Sequence, residues 1–141
     1  MSNAALDIRL LGPDDYALVN AAEEIFDDRP IAKQTHAFLN SDRDFLWLAL
    51  IDGQPVGFAS ATIVLHPDKS PHLFVNELET RDGFRRRGIA TRLMRTVQQH
   101  GKANGLWPIW LAAEGDDDRA IAFYRSLGDM EERGAVVFEW E

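Results

Sequence analysis

The segment Glu77-Leu78-Glu79-Thr80-Arg81-Asp82-Gly83-Phe84-Arg85-Arg86-Arg87-Gly88-Ile89-Ala90 decides the fold of this 141-residue chain. It ends a predicted strand, turns through an arginine- and glycine-rich loop, and opens a long amphipathic helix with Ile89, Leu93 and Val97 on one stripe. The first amides of such a helix have no partner inside the helix and point at the turn, with the positive end of the helix dipole behind them. The segment therefore predicts a phosphate-binding turn.

Basic side chains are concentrated at this turn although the protein is acidic. The chain has 15 Lys and Arg against 23 Asp and Glu, a formal net charge of −8. This balance argues against a nucleic-acid partner or an anionic membrane surface and suits cationic partners. Neither the Gly-Lys-Ser/Thr of a P-loop nor a Gly-x-Gly-x-x-Gly fingerprint occurs, and a solvated basic helix start remains the alternative interpretation. Six of the basic residues lie between positions 81 and 95: Arg81, Arg85, Arg86, Arg87, Arg92 and Arg95.

Length and composition indicate one globular domain with one core. Apolar residues make up 45% of the chain and charged residues 27%, which is ordinary for a globular protein. Ser2-Asn3-Ala4 is typical of a vector remnant, so we assign the domain to residues 5–141 and set residues 1–4 aside. The longest apolar run, Phe45 to Ile51, is too short to span a bilayer. No signal-peptide pattern opens the chain, so we expect no membrane association and a cytoplasmic location.

The residue types also limit the chemistry. Without cysteine, disulfides, thiol nucleophiles and cysteine-bound zinc are excluded. The histidines show no metal-ligand spacing, so we expect no metal site and interpret them as surface residues. They are His36, His66, His72 and His100.

The hydrophobic pattern predicts an α/β (α+β) fold, with a central mixed, mostly antiparallel sheet flanked by helices. Asp52-Gly53 between two apolar runs is a strong hairpin signal. Glycines at 101 and 105 end the long helix, and a helix that contains Leu18 and Ile25 follows the first strand. Strands are predicted over 8–11, 45–51, 56–65, 73–80, 108–113 and 135–140, and further helices over 31–39 and 118–127.

Two motifs in this order resemble those of the GNAT superfamily of acetyl-CoA-dependent N-acyltransferases. The first is Arg-x-x-Gly-x-Ala after a strand, which resembles the pyrophosphate-binding signature of the family. The second follows a short strand and resembles the second motif of the family. The order of elements agrees over nearly the whole chain. The matching residues are Arg85, Gly88 and Ala90 in the first motif, and Ala120, Tyr124 and Gly128 in the second.

The resemblance implies a sheet that splays at a bulge, with acetyl-CoA in the gap as cosubstrate. It implies that the pantetheine arm pairs with the backbone of Leu78 and Thr80. The substrate amine then attacks the thioester directly, and a backbone amide between 78 and 80 stabilises the oxyanion. The candidate residues for the pyrophosphate are Arg85, Arg86, Arg87, Gly88, Ile89 and Ala90.

Two proton transfers need side chains. Tyr124 occupies the position of the family's proton donor; its alternative interpretation is a buried helix aromatic, as Phe123 beside it illustrates. Glu77 and Glu79 share one side of their strand because side chains alternate, and some relatives place a carboxylate base here, often acting through water. We prefer Glu77 as the base, with Glu79 second, and solvent-facing carboxylates on a half-exposed strand as the alternative.

The acceptor amine is the least determined feature. The segment from Glu114 to Tyr124 looks like the Gly-Asp-Asp-x-Ala-x-Ala-x-Tyr segment of the aminoglycoside 3-N-acetyltransferases. That resemblance implies a small cationic substrate, an aminoglycoside, as in antibiotic resistance. Polyamines, other small amines and peptide or protein amino groups remain open. Asp117 stands where many members have an Asn that touches the cofactor, and helix capping is the alternative role for the carboxylates at 116–118.

Two other classes of function stay open at this stage. One is a GNAT-like module that binds acyl-CoA without turnover, against which Tyr124 and the intact first motif argue. The other is a small nucleic-acid-binding domain that uses the basic stripe from Arg81 to Arg95. The net charge of the protein argues against it. The apolar strand at 135–140 would suit pairing with a second copy, and the sequence leaves monomer and homodimer open.

Overall fold

A computed structural model describes residues 5–85 and 87–141 of the chain. The fold has two compact units, Met1–Leu111 and Ala112–Glu141. Residues 1–4, set aside above as a remnant, and Arg86, named above as a phosphate-turn candidate, lie outside the described residues.

The first unit holds the sheet and most of the helices, in the order that the sequence predicts. The helices and strands begin and end within a few residues of their predicted positions, except that β5 covers only two of the six predicted residues. The helix predicted around Leu18 and Ile25 is divided into α1 and a short 3₁₀ turn. The elements are β1 (Leu6–Leu10), α1 (Tyr16–Ala21), the 3₁₀ turn (Glu23–Ile25), α2 (Ala32–Leu39), β2 (Asp44–Ile51), β3 (Gln54–Val64), β4 (His72–Thr80), α3 (Ile89–Ala103) and β5 (Ile109–Trp110).

The five strands form one sheet in the order β1-β2-β3-β4-β5. The first three pairings are antiparallel. The last, between β4 and β5, is parallel and covers two pairs, Leu73 with Ile109 and Phe74 with Trp110. The mixed, mostly antiparallel sheet predicted from the sequence is therefore confirmed.

The hairpin between β2 and β3 follows from its turn residues. Asp52 and Gly53 have φ of 52° and 74°, which is the left-handed pair that a two-residue hairpin turn needs. Glycine adopts this conformation without cost and aspartate tolerates it. The turn sets the antiparallel register of β2 and β3.

Each face of the sheet packs against its own helices. Leu46, Leu48 and Leu50 on β2 and Phe58 on β3 form one buried cluster with residues of α1, the 3₁₀ turn and α2. On the opposite face, a Cβ at Gly57 would lie 3.2 Å from Ile89 Cγ2, so this face of β3 packs on α3. Because side chains alternate along a strand, even-numbered residues of β2 face α1 and α2, and odd-numbered residues face α3. The same holds on β3 from Gly57 onward; before it the parity changes, because Ala49 pairs with Gly57 and Leu50 with Pro55, which leaves Val56 as an extra residue.

The second unit contains α4 (Asp118–Ser126). The strand predicted over 135–140 is wrong: residues 129–141 carry no helix or strand. Alternation of side chains shows only that a segment suits a sheet, whereas a strand also needs a hydrogen-bonded neighbour. The apolar side chains of this segment are exposed; they are Val136, Val137, Phe138 and Trp140.

Candidate functional site

A β-bulge in β4 organises the site. Ser60 pairs with Glu77 and Ala61 pairs with Val75, so Asn76 is an extra residue on β4. Leu73 and Val75, before the bulge, are buried on the face that packs against α3. After an extra residue, the parity of the side chains shifts by one. Even-numbered residues of β4 therefore face α3 after the bulge, and odd-numbered residues face α1 and α2.

This shift places Glu77 and Glu79 on the α1/α2 face. Glu77 lies opposite Ser60, and Glu79 lies opposite Phe58, which belongs to the core cluster on that face. Residues directly opposite each other in an antiparallel pair project to the same side. The prediction that the two carboxylates share one side of the strand is confirmed by this register.

The backbone of Leu78 and Thr80 faces the open side of β4. The amide of Arg81 donates to the carbonyl oxygen of Val56 on β3, at 2.8 Å. Because backbone groups point alternately to either side of a strand, Glu79 and Glu77 also bond to β3, whereas Leu78 and Thr80 point away from it. On that side the described β5 pairs only as far as Phe74. The backbone groups at 78 and 80 thus lie on the side of β4 where the described β5 does not pair with them, and the Thr80 backbone hydrogen-bonds the Glu79 carboxylate.

The Glu77 carboxylate lies in an acidic environment. No hydrogen bond or ion pair is found for its oxygens among the described residues. Partial desolvation raises its pKa above the usual 4.5, and the nearby carboxylates of Asp27 and Glu79 raise it further. Asp27 belongs to the loop between the 3₁₀ turn and α2. Glu77, Glu79 and Asp27 thus form an acidic cluster, beside the face that carries α1 and α2, which can attract a cation and accept a proton.

Glu79 differs from Glu77 because it pairs with the basic turn. Arg85 Nη2 lies 3.4 Å from Glu79 Oε1 and 3.2 Å from Asp82 Oδ1. Desolvation raises the pKa of Glu79, while the Arg85 guanidinium acts in the opposite direction. Within residues 5–85 and 87–141, Glu77 is therefore the candidate base that has no neutralising cation.

The turn that precedes α3 has the backbone of an anion site. Gly88 is the N-cap of α3 with φ of 75°, a left-handed conformation that favours glycine. A Cβ at Gly88 would meet nothing within 4 Å, so open space lies beside the first amides of the helix. The guanidinium of Arg87 lies 5.0 Å from the centre of the Phe84 ring. The ion pair between Arg85 and Glu79 links the turn to the end of β4.

Not every residue near this turn offers a free side chain to a ligand. Arg81 donates to Glu24 in the 3₁₀ turn, so its charge is partly neutralised. The side chain of Ile89 is buried, and Ile89, like Ala90, offers only its backbone to a ligand. Among the described residues, the groups that this turn offers to a ligand are therefore mainly helix amides and the arginines at 85 and 87.

Tyr124 lies on α4 in the second unit. Its ring packs against Phe123, with centroids 5.2 Å apart, and it is half-buried. The carboxylate of Asp117 accepts a hydrogen bond from the amide of Ala120 at 3.0 Å and so caps α4. Capping accounts for Asp117, one of the three acidic residues at 116–118.

Among the described residues, no three His, Cys, Asp or Glu side chains are grouped so as to hold a metal ion. Only His36 has the exposed position that we expected of the histidines. His66 and His72 are half-buried and pack on each other, with ring centroids 4.6 Å apart, and His100 on α3 packs against Phe45 and Trp47, with centroids 4.8 Å and 5.3 Å away. This partial burial lowers its pKa.

The sequence analysis did not predict the side-chain hydrogen bonds at the bulge. Asn76 Nδ2 donates to Thr62 Oγ1 at 2.8 Å, and Thr62 Oγ1 donates to Asp44 Oδ1 at 2.7 Å. The order of buried residues contains the signal for the bulge itself. Leu73 and Val75 are spaced by two, whereas the next apolar residue, Leu78, comes three later.

Comparison with known proteins gives the family. The family described as acetyltransferase (GNAT) matches residues 15–129, and the chain belongs to this family. The chain is an acetyl-CoA-dependent N-acetyltransferase.

Several similar proteins are named as aminoglycoside acetyltransferases. The chain is 30% identical over 104 residues to the aminoglycoside N(6′)-acetyltransferase type 1 of Salmonella typhimurium, with 71% of each protein covered. It is 25% identical to the aminoglycoside N-acetyltransferase AAC(6′)-Iy in complex with CoA, covering 96% of this chain and 98% of that one with a TM-score of 0.75. An aminoglycoside acetyltransferase from an uncultured soil metagenomic sample, in complex with sisomicin, shares the fold with a TM-score of 0.90 at 21% identity, covering 96% and 95%.

These relatives correct one prediction. The resemblance to the 3-N-acetyltransferases is not supported, because the curated relative and the CoA complex are of the 6′ type. The Gly-Asp-Asp segment on which that resemblance rested is in part a helix cap, through Asp117. A capping pattern recurs wherever a helix starts, so it does not discriminate between acceptor positions.

Among the described residues, no helix is long and apolar enough to cross a membrane.

Proposed function

We propose that this enzyme acetylates an amino group of a small polycationic acceptor, and that the acceptor is an aminoglycoside acetylated at its 6′-amino group. The acidic cluster of Asp27, Glu77 and Glu79 carries the proposal. It places negative charge on the face of β4 that holds α1 and α2, beside the backbone groups at 78 and 80, and such a field raises the local concentration of a polycation. The 6′ position is proposed because the Salmonella relative is named as an aminoglycoside N(6′)-acetyltransferase.

In this proposal the chain binds acetyl-CoA through backbone groups. The amides of residues 86–90 and the Arg85 and Arg87 side chains hold the pyrophosphate, and the open space beside Gly88 fits that ligand. The outward backbone groups of Leu78 and Thr80 pair with the pantetheine arm. The Leu78 amide, which is not used by β3, then donates to the thioester oxygen as negative charge develops there.

Glu77 is the proposed base. An ammonium substrate must lose a proton before it attacks, and a base works best when its pKa is close to the working pH. The raised pKa of Glu77 moves it in that direction. Glu79 is the weaker candidate because Arg85 stabilises its charged form. Attack of the amine on the thioester carbonyl forms the C–N bond, breaks the C–S bond and releases the CoA thiolate, while the amine proton passes to Glu77, directly or through water.

Tyr124 is the proposed donor to the departing thiolate. The support is its match to the second family motif and its position on the capped helix α4. A Tyr124→Phe variant tests this role, because it removes only the hydroxyl. Since a single general acid contributes about 10²-fold or more, we expect kcat to fall by that order with acetyl-CoA affinity retained.

The experiment for the acceptor is thiol release from acetyl-CoA with a panel of amines. Aminoglycosides with and without a 6′-amino group are compared with spermidine, lysine and basic peptides. Turnover that requires the 6′-amino group supports the proposal. Turnover of spermidine or of a peptide instead contradicts the aminoglycoside assignment while leaving the N-acetyltransferase chemistry in place.

Three further properties are also proposals: a homodimer, a single domain and a cytoplasmic location. The exposed apolar segment at 135–140, with Phe138 at 76% and Trp140 at 88% exposure, supports association with a second copy. Light scattering on the full chain and on a chain ending at residue 134 tests the homodimer, which requires that only the full chain has twice the monomer mass. The single domain over 5–141 gains support from a family match that spans both units, and the cytoplasmic location remains to be tested by fractionation of cells.

A further inference from the structure

The bulge in β4 needs a device that fixes its position. A bulge leaves one residue without a regular partner, and the strand could also pair with β3 without an extra residue. In that register Glu77 would lie opposite Ala59 and Leu78 opposite Phe58, so Glu77 would move to the α3 face and the outward backbone of Leu78 would turn toward β3. The geometry of the site therefore depends on keeping the bulge before Glu77.

A chain of side-chain hydrogen bonds links the extra residue to the two strands beside it. Asn76 Nδ2 donates to Thr62 Oγ1 on β3 at 2.8 Å, and Thr62 Oγ1 donates to Asp44 Oδ1 on β2 at 2.7 Å. The second oxygen of Asp44 accepts from Ser41 Oγ, also at 2.7 Å. Asp44 and Thr62 are direct partners in the ladder between β2 and β3. The chain thus crosses three strands at the level of the bulge.

The direction of this chain is fixed by its acidic end. An ionised carboxylate can only accept, so the one hydroxyl proton of Thr62 is given to Asp44. The Thr62 oxygen is then left as an acceptor, and only the amide nitrogen of Asn76 can complete it. A polar chain with one allowed arrangement specifies position better than an apolar contact, which tolerates sliding.

We propose that Asp44, Thr62 and Asn76 are positioning residues that fix the bulge at Asn76 and thereby set the Leu78 amide and the Glu77 side chain for acetyl transfer. This inference rests on the proposed function. It assigns these three residues no contact with acetyl-CoA or the acceptor; they act through the register of β4. The phosphate-binding turn lies at the far end of β4, after Thr80, and we expect it to be unaffected by their removal.

The test compares Thr62→Val, Thr62→Ser and Thr96→Val. The first keeps the side-chain shape and removes both hydrogen bonds, and the second restores the hydroxyl. Thr96 Oγ1 donates to the carbonyl oxygen of Arg92 on an exposed part of α3, so Thr96→Val is a matched loss of a threonine hydroxyl away from the bulge. Calorimetry gives the Kd of acetyl-CoA, and steady-state kinetics with the best amine of the panel give kcat and KM.

We expect Thr62→Val to lower kcat about tenfold to a hundredfold, the order of effect for reacting groups misplaced by about 1 Å. The Kd of acetyl-CoA should rise by a smaller factor than the one by which kcat falls, because the proposed pyrophosphate turn is retained while the pairing of Leu78 with the pantetheine arm is weakened. Thr62→Ser should recover most of the rate. Thr96→Val should have wild-type kcat. A purely structural role predicts instead a lower melting temperature with kcat unchanged.

A second variant keeps the inference falsifiable if Thr62→Val does not fold. Asn76 is exposed, so Asn76→Ala should fold, and it should lower kcat by a larger factor than it raises the Kd of acetyl-CoA. Wild-type kcat in Asn76→Ala, or an equal loss in Thr62→Ser and Thr62→Val, would overturn the inference while the proposed function stands. A wild-type protein that acetylates no amine would overturn the proposed function and this inference with it.

Discussion

The packing of β3 against β4 and α3 can be tested at Gly57. A Cβ added there would lie 2.8 Å from the carbonyl oxygen of Glu79, 3.2 Å from Ile89 Cγ2 and 3.5 Å from Leu93 Cδ1. The first distance is about 0.6 Å shorter than ordinary van der Waals contact, which begins at 3.4 Å. Since the oxygen belongs to the backbone of β4, Gly57→Ala must displace the strand itself or the start of α3.

The size of the effect follows from that displacement. Overpacking a buried site costs about 1–3 kcal/mol, which for a chain of this length lowers the melting temperature by roughly 3–10 °C. The displaced groups lie on both sides of the phosphate-binding turn, Glu79 before it and Ile89 after it. We therefore expect the Kd of acetyl-CoA to rise by roughly tenfold, because misplacement of binding groups by about 1 Å has effects of this order or more.

The assay is thermal unfolding together with calorimetric titration of acetyl-CoA. Gly134→Ala is the matched control, since a Cβ there would meet nothing within 4 Å and the residue has no positive φ. This control should change the free energy of unfolding by no more than about 0.5 kcal/mol. A Gly57→Ala protein with the melting temperature and acetyl-CoA Kd of the wild type would refute the described packing.

Three further predictions concern the site itself. Because the pKa of Glu77 is raised above 4.5, the rate of the wild type should begin to fall at a pH above 4.5 as the pH is lowered. Glu77→Gln should lower the rate about 10²-fold and should remove this acid-side loss of rate. A Glu77→Gln variant whose pH–rate profile is identical to that of the wild type would exclude Glu77 as base. The same variant should raise the melting temperature at pH 7, since a carboxyl with a raised folded-state pKa destabilises the fold where it is ionised, and the gain should vanish as pH falls below 4.5; Glu131→Gln, in the second unit, is the control for both readouts. Gly88→Glu should abolish acetyl-CoA binding, by charge and by strain at φ of 75°; circular dichroism should show a folded protein, and wild-type affinity would contradict the anion site.

Much of the fold could be predicted because its signals are local. The Asp52-Gly53 turn, the apolar stripe of α3 and the glycine that begins it each follow from residues close together in the sequence. The bulge is different. Its position is set by the Asn76, Thr62 and Asp44 side chains from three strands, and no local pattern shows that they meet. The spacing of Leu73, Val75 and Leu78 would have suggested a shift of phase, but not what holds it.

The strand at 135–140 and the 3-N-acetyltransferase resemblance are both inferred from a local sequence pattern, although each feature depends on residues elsewhere in the fold. The segment at 135–140 has the side chains of a strand, but strand formation depends on a hydrogen-bonding neighbour that its own sequence does not specify. The Gly-Asp-Asp segment resembles one group of acetyltransferases, but Asp117 in it caps a helix, a role that many unrelated helix starts share. Acceptor specificity depends on loops such as the one that holds Asp27, which the motifs do not cover.

The central claim is that this chain transfers acetyl from acetyl-CoA to a 6′-amino group of a polycationic aminosugar. Its most direct test is release of CoA thiol with two aminoglycosides that differ only in the 6′ substituent, amino or hydroxyl, with the wild type and Glu77→Gln side by side. We predict rapid release by the wild type with the 6′-amino compound, release slowed about 10²-fold in Glu77→Gln, and none with the 6′-hydroxyl compound. Equal turnover of the two compounds, or turnover of neither while another amine is acetylated, would contradict the claim.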